Sequence, residues 1–177
     1  AGHEDLLKEF VDEDHIVIGT TEDNGAVLGM GHVRRGGTGV TNVGMLVEDK
    51  EGFLPQLKEA FDQCGFNVKI HENIQTLIWD KLFTNVSLSA LTGVLQVDMG
   101  YIAANEYAWD LCCQLIHETV KTAAAAGLNF DEEKVREKVK NTSINNPKGC
   151  TSIRADLRDG RRTEVCRYEF RYHWQRE

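Results

Sequence analysis

The chain has 177 residues, 41% hydrophobic and 27% charged, with 28 acidic against 20 basic side chains and a formal net charge of -8. That length holds one full domain, or one domain plus part of another, around a core that needs no staples. The acidic balance and scattered Lys and Arg argue against a nucleic-acid partner, and no stretch reaches the roughly 20 apolar residues of a membrane helix. The five cysteines (Cys64, Cys112, Cys113, Cys150, Cys166) lack paired zinc spacing and suit reduced thiols in a cytoplasmic protein.

Residues 1–10 read as a short amphipathic helix carrying Leu6, Leu7 and Phe10, as though the chain began partway through something larger. Residues 15–50 are glycine-rich with β-branched runs, HIVIGTT, AVLGMGHV and TGVTNVGMLV, divided by Asp23-Asn24-Gly25 and Gly36-Gly37. These predict strands joined by hairpins. In residues 52–64, Phe53, Leu57, Ala60 and Phe61 recur at helical intervals, and Gly65 followed by FNVKIH supplies a helix stop and another strand. Residues 1–71 are therefore α/β.

Beyond residue 71 the pattern turns helical: 72–96, 105–126 ending at Gly127, 131–141, and 151–159. Asn105 and Asp131 are the predicted N-caps of the second and third. The final residues, VCRYEFRYHWQRE from Val165, show neither periodicity nor turn punctuation.

Along the helix 72–96, apolar residues cover most of the circumference, so it is expected to be buried on more than one side. Lys81, Asn85 and Ser89, spaced i, i+4, i+8, form a polar stripe within a sector of roughly 80°. The stripe is either a solvated edge, with Asp80 and Lys81 as surface charges, or the lining of a cleft. In a cleft, a lysine withdrawn from water has a lowered pKa and can deliver a proton, while an amide and a hydroxyl orient a small polar ligand. A second group lies in CTSIRADLRDGRRTE, where Thr151 and Ser152 stand at a helix start and Glu164 follows Arg158, Arg161 and Arg162. Its two readings are a carboxylate-binding helix N-terminus with Glu164 accepting from a substrate hydroxyl, or an N-cap beside surface ion pairs.

Other matches fail. GMGHVR at 29–34 has Arg34 where a dinucleotide fingerprint needs its third glycine, and strand follows it, so its glycines belong to a hairpin. HETVK at 117–121 lacks the second histidine of a zincin, and no metal is expected. The run Ala123–Ala126 before Gly127 predicts close helix packing.

Three stretches, IGTTEDNGAVLGMGHVRRGGTGVTNVG, ENIQTLIWDKLFTNVSLSALTGVL and TSIRADLRDGRRTE, give the chain a resemblance to the ketopantoate reductase (2-dehydropantoate 2-reductase) family. The resemblance implies the α/β remnant of a Rossmann-type NADP domain at 1–71, then an all-α domain like the C-terminal domain of 6-phosphogluconate dehydrogenase at 72–164, with substrate between the two, and an atypical tail at 165–177. It implies Lys81 as general acid, and Asn85, Ser152 and Glu164 as contacts to the substrate's oxygens. Ser89 stands where the family has a second asparagine. The implied reaction is hydride transfer from NADPH to the C2 carbonyl of a 2-oxoacid in pantothenate biosynthesis. The family's opening G-x-G-x-x-G is missing here, so the chain reads as a fragment that should not catalyse alone. Two alternatives stay open: a sibling reductase for another 2-oxoacid, and a non-catalytic helical module that self-associates, for example as a homodimer.

Overall fold

A computed structural model describes residues 3–37 and 39–163. Glu164 and the segment 165–177, both singled out by sequence, lie outside the described residues. The chain is helix-rich with a small sheet and divides into two units, Ala1–Ile78 and Trp79–Glu177.

The first unit runs α1 (His3–Leu7), a 3-10 turn (Glu13–His15), β1 (Val17–Thr21), β2 (Asn24–Gly29), β3 (His32–Gly37), β4 (Val40–Met45), α2 (Phe53–Gln63), β5 (Asn67–Ile70) and the start of α3 (Ile74–Thr84). The main sheet has the order β1-β4-β5. β1 is antiparallel to β4, with Val17 opposite Met45 and Thr21 opposite Thr41, while β5 is parallel to β4, with Asn67 opposite Val40. A parallel neighbour requires a crossover, and α2 provides it. As the central strand, β4 buries Val43, Gly44 and Met45, and Leu54 of α2 and Val68 of β5 complete this small core.

Two expectations are corrected in this unit. AVLGMGHV is two strands, β2 and β3, which fold back on each other around Met30 and Gly31, the latter with φ of 70° that favours glycine. The turn signals Asp23-Asn24-Gly25 and Gly36-Gly37 lie instead at the open end of that hairpin, where Asn24 pairs with Gly37. The second correction concerns residues 1–10: among its described residues, His3–Leu7 alone is α-helical, and Leu6, Leu7 and Phe10 remain exposed.

The second unit holds the rest of α3, a π-turn (Asn85–Ser89), α4 (Ala90–Leu95), α5 (Met99–Ala104), α6 (Glu106–Ala125), α7 (Glu132–Asn145) and α8 (Ser152–Arg158). The predicted caps are in place. Asn105 accepts from the Ala108 amide at 3.0 Å, and Asp131 accepts from that of Lys134 at 3.3 Å. Helix α6 ends at Gly127, φ 84°, where the Leu128 amide reaches back to the Ala123 carbonyl at 2.9 Å, closing a Schellman-type stop. Of the run expected to pack closely, only Ala123 is buried; Ala124, Ala125 and Ala126 are exposed. Helix α7 runs four residues past its predicted end.

Helix α5 was not expected at all. Long-range bonds hold it: Met99 and Gly100 donate to the carbonyls of Gly149 and Pro147 at 3.1 and 3.0 Å, and Ser143 donates to the Met99 carbonyl at 2.6 Å. The unit's core forms around Phe83, Leu88, Ile102, Ile116 and Val139, with Phe130 edge-on to Phe83 at 4.9 Å between ring centroids.

Candidate functional site

Between residues 74 and 93 only Lys81 and Asn85 are exposed. They lie one turn apart on a rod otherwise buried or half-buried, as the apolar pattern predicted. Lys81 is therefore open to water, as in the solvated-edge reading of the stripe, and is not withdrawn as the cleft reading had it. Among the described residues no carboxylate lies within ion-pairing distance of its ammonium; its neighbour Asp80 pairs instead with Lys138 of α7 at 3.0 Å. The stripe also ends early: Ser89 is buried at 6% exposure.

The reason is the π-turn. The Ala90 amide donates to the Asn85 carbonyl five residues back, which under-winds the rod and breaks the uniform 100° spacing on which the stripe was drawn. Ser87 donates to the Phe83 carbonyl at 2.6 Å, and α6, which carries the buried Cys112, packs against the turn. Burial pushes the Cys112 thiol up to about 11, so it is a packing group and not a nucleophile. π-Turns inside α-helices recur at functional sites, and this one begins at Asn85.

Helix α8 packs on α4 and contacts the π-turn. The approach is close because residue 93 is glycine: a Cβ there would stand 2.5 Å from Cγ2 of Ile153. Thr151 caps α8, its hydroxyl accepting from the Arg154 amide at 3.3 Å, and the same hydroxyl lies 2.8 Å from that of Thr92 on α4. Thr92 in turn donates to the Ser89 carbonyl at 3.1 Å. Ser152, next to the cap, is exposed. Fold contacts thus bring together the elements carrying Asn85, Ser89 and Ser152. The basic residues that follow are locally paired: Arg158 with Asp159, and Arg161 with Asp156 and Asp159. Thr92 and Gly93 were missed by sequence reasoning, since a threonine and a glycine within a helix carry no local signal of a partner 59 residues away.

The described residues do not fit a dinucleotide. A pyrophosphate needs free amides at a strand-to-helix joint. At the β4–α2 joint the amides of Phe53 and Leu54 are taken by the Asp49 carboxylate, at 2.9 and 2.7 Å, with Glu48 and Glu51 alongside. At the β5–α3 joint Asn73 accepts from the Thr76 amide at 3.3 Å. For metals, Asp12, Asp14 and His15 are one group whose ligand atoms converge, exposed at the edge of a cavity of about 560 Å³ in the first unit. The His15 imidazole is already bonded to Asp14 at 2.7 Å.

A family model described as the C-terminal part of ketopantoate reductase PanE/ApbA matches residues 73–167. Two curated relatives are both called 2-dehydropantoate 2-reductase. The one from Streptococcus pyogenes is 26% identical over 165 residues, covering 93% of this chain and 54% of the relative. The one from Pyrococcus horikoshii is 30% identical over 149 residues, covering 84% and 49%. Among solved structures, a D-mandelate dehydrogenase with NADH and anilino(oxo)acetate aligns with TM-score 0.82 at 25% identity, over 93% of this chain and 54% of that one. A dimeric ketopantoate reductase from Staphylococcus aureus shares the fold at TM-score 0.75 and 20% identity, over 89% and 53%. The chain spans about half the length of the curated relatives it matches.

Proposed function

Since the chain belongs to the ketopantoate reductase family through its C-terminal portion, we propose that it is a fragment supplying the substrate-binding side of a 2-oxoacid reductase, and that the substrate is 2-dehydropantoate. The observation that carries this is the pair Lys81 and Asn85, the only exposed positions between residues 74 and 93, set one turn apart where the π-turn begins. In this reading the substrate's C2 oxygen sits near the Lys81 ammonium, which gives it a proton as it becomes an alkoxide. The Asn85 amide orients that end of the molecule, and the Ser152 hydroxyl donates to the substrate carboxylate. Ser89 lies beneath the stripe and shapes it from inside. Glu164, assigned to the substrate hydroxyl, is outside the described residues.

The reducing equivalent is assigned to a nicotinamide dinucleotide, NADP in our reading, which the described residues do not cradle. The sheet-bearing unit is read as the remnant of a Rossmann-type domain at residues 1–71, and the helical unit, 72–164, as a domain of the 6-phosphogluconate dehydrogenase C-terminal kind. Both assignments rest on the family.

The test is kinetic. In the enzyme that contains this chain, Lys81→Met is expected to lower kcat by about 10²–10⁴-fold, the usual size of a general-acid contribution, with KM little changed. A variant as fast as the wild type would remove Lys81 from the chemistry. The similarity to a D-mandelate dehydrogenase favours adding aryl 2-oxoacids to the substrate panel, since a sibling reductase would prefer one of those. A second reading, self-association through the helical unit, is favoured by Tyr107 and Leu111, which lie one turn apart on α6 with exposures of 80% and 46%.

A further inference from the structure

Thr92 and Thr151 are both buried, with exposures of 0% and 8%. Their hydroxyls lie 2.8 Å apart, a distance at which either could donate to the other. Each hydroxyl has one proton. The arrangement that gives both protons an acceptor has Thr92 donating to the Ser89 carbonyl at 3.1 Å and Thr151 donating to Thr92, while Thr151 itself accepts from the Arg154 amide at 3.3 Å. The result is a directed chain from the Arg154 amide through Thr151 and Thr92 to the Ser89 carbonyl. It joins the first turn of α8 to the last residue of the π-turn. Gly93, the next residue on α4, lets Ile153 of α8 approach closely, since a Cβ there would stand 2.5 Å from its Cγ2.

We infer that Thr92 is a positioning residue: through Thr151 it sets where Ser152 stands relative to the π-turn, and so how firmly the substrate carboxylate is held. The inference rests on the reading of Ser152 as a carboxylate contact. Without the Thr92 hydroxyl, the Thr151 proton loses its buried acceptor and the hydroxyl must turn away to find another. That movement uncaps Arg154 and displaces the adjacent Ser152. Lys81 and Asn85 lie outside this chain of bonds, so the proton-transfer step keeps its geometry.

The experiment compares Thr92→Val and Thr92→Ser in the enzyme that contains this chain, using the 2-oxoacid that the wild type reduces best. Thr92→Val is expected to raise KM about tenfold, the equivalent of one lost hydrogen bond, with kcat within twofold of the wild type. Thr92→Ser, which keeps the hydroxyl, should restore KM to within twofold. In a Ser152→Ala background, Thr92→Val should add less than twofold, because the contact it positions is already gone. Thr92→Ala replaces the valine if that variant does not fold, with the same expectations. An unchanged KM in the hydroxyl-free variant, or a tenfold loss that persists on top of Ser152→Ala, overturns the inference while leaving the reductase reading intact. A wild-type enzyme inactive on every 2-oxoacid overturns both.

Discussion

Replacing Gly93 with alanine tests the closest helix contact in the second unit. The added Cβ would meet Cγ2 of Ile153 at 2.5 Å, whereas carbon atoms rest at about 3.5–4.0 Å. Cγ2 is attached directly to a β-branched carbon, so Ile153 cannot swing clear without changing rotamer, and α8 has to retreat by about 1 Å. Overpacking of this kind costs about 1–3 kcal/mol, offset by up to about 1 kcal/mol because alanine is the better helix former. A net loss of about 1 kcal/mol lowers Tm by about 4–8 °C in a unit of this size. Thermal unfolding followed by far-UV circular dichroism measures it. Ile153→Ala removes the clashing atom, so in that background Gly93→Ala should be harmless or stabilising. If Gly93→Ala leaves Tm unchanged in the native background, or the two changes simply add, the packing argument is wrong.

Glu132 is bonded to His117 at 2.8 Å and paired with Arg136, and these partners, His117 foremost, hold its carboxyl below the ordinary 4.5. Its stabilising contribution is therefore complete above that value and is lost as pH falls through the depressed folded one. Glu132→Gln should lower the urea midpoint at neutral pH and flatten its decline below 4.5; a parallel decline would show the pair to be inert. For the α6 surface, Tyr107→Glu together with Leu111→Glu should convert a wild-type dimer to monomer in sedimentation velocity, and a wild type that is monomeric at high concentration counts against self-association.

The features legible in the sequence are those set by neighbouring residues. Asn105, Asp131 and Gly127 mark helix ends because capping involves groups a few positions apart. Helix α5 has six residues and is held through Ser143, Pro147 and Gly149, so its reasons lie more than forty positions away. The pairing of β1 with β4 is likewise non-local, since Val17 meets Met45 and Thr21 meets Thr41 across the intervening hairpin. At the candidate site, periodicity found the face shared by Lys81 and Asn85 but assumed a uniform helix, so it carried that face on to Ser89. The π-turn, held by an i to i+5 bond and by Ser87, with α6 packed against it, has no signature in the apolar pattern.

The β2–β3 hairpin has a bearing on how the first unit assembles. Thr21 and Thr41 meet across the main sheet although twenty positions separate them. The strands between them need only the local turn at Met30 and Gly31 to close, and zipping them from there brings Asn24 beside Gly37. With that ribbon formed, only short linkers still have to close, and the chain entropy that opposes registering β1 on β4 has largely been lost already. The hairpin contributes nothing to the three-stranded sheet as a member, yet it acts kinetically as the clasp that lets its first two strands find each other.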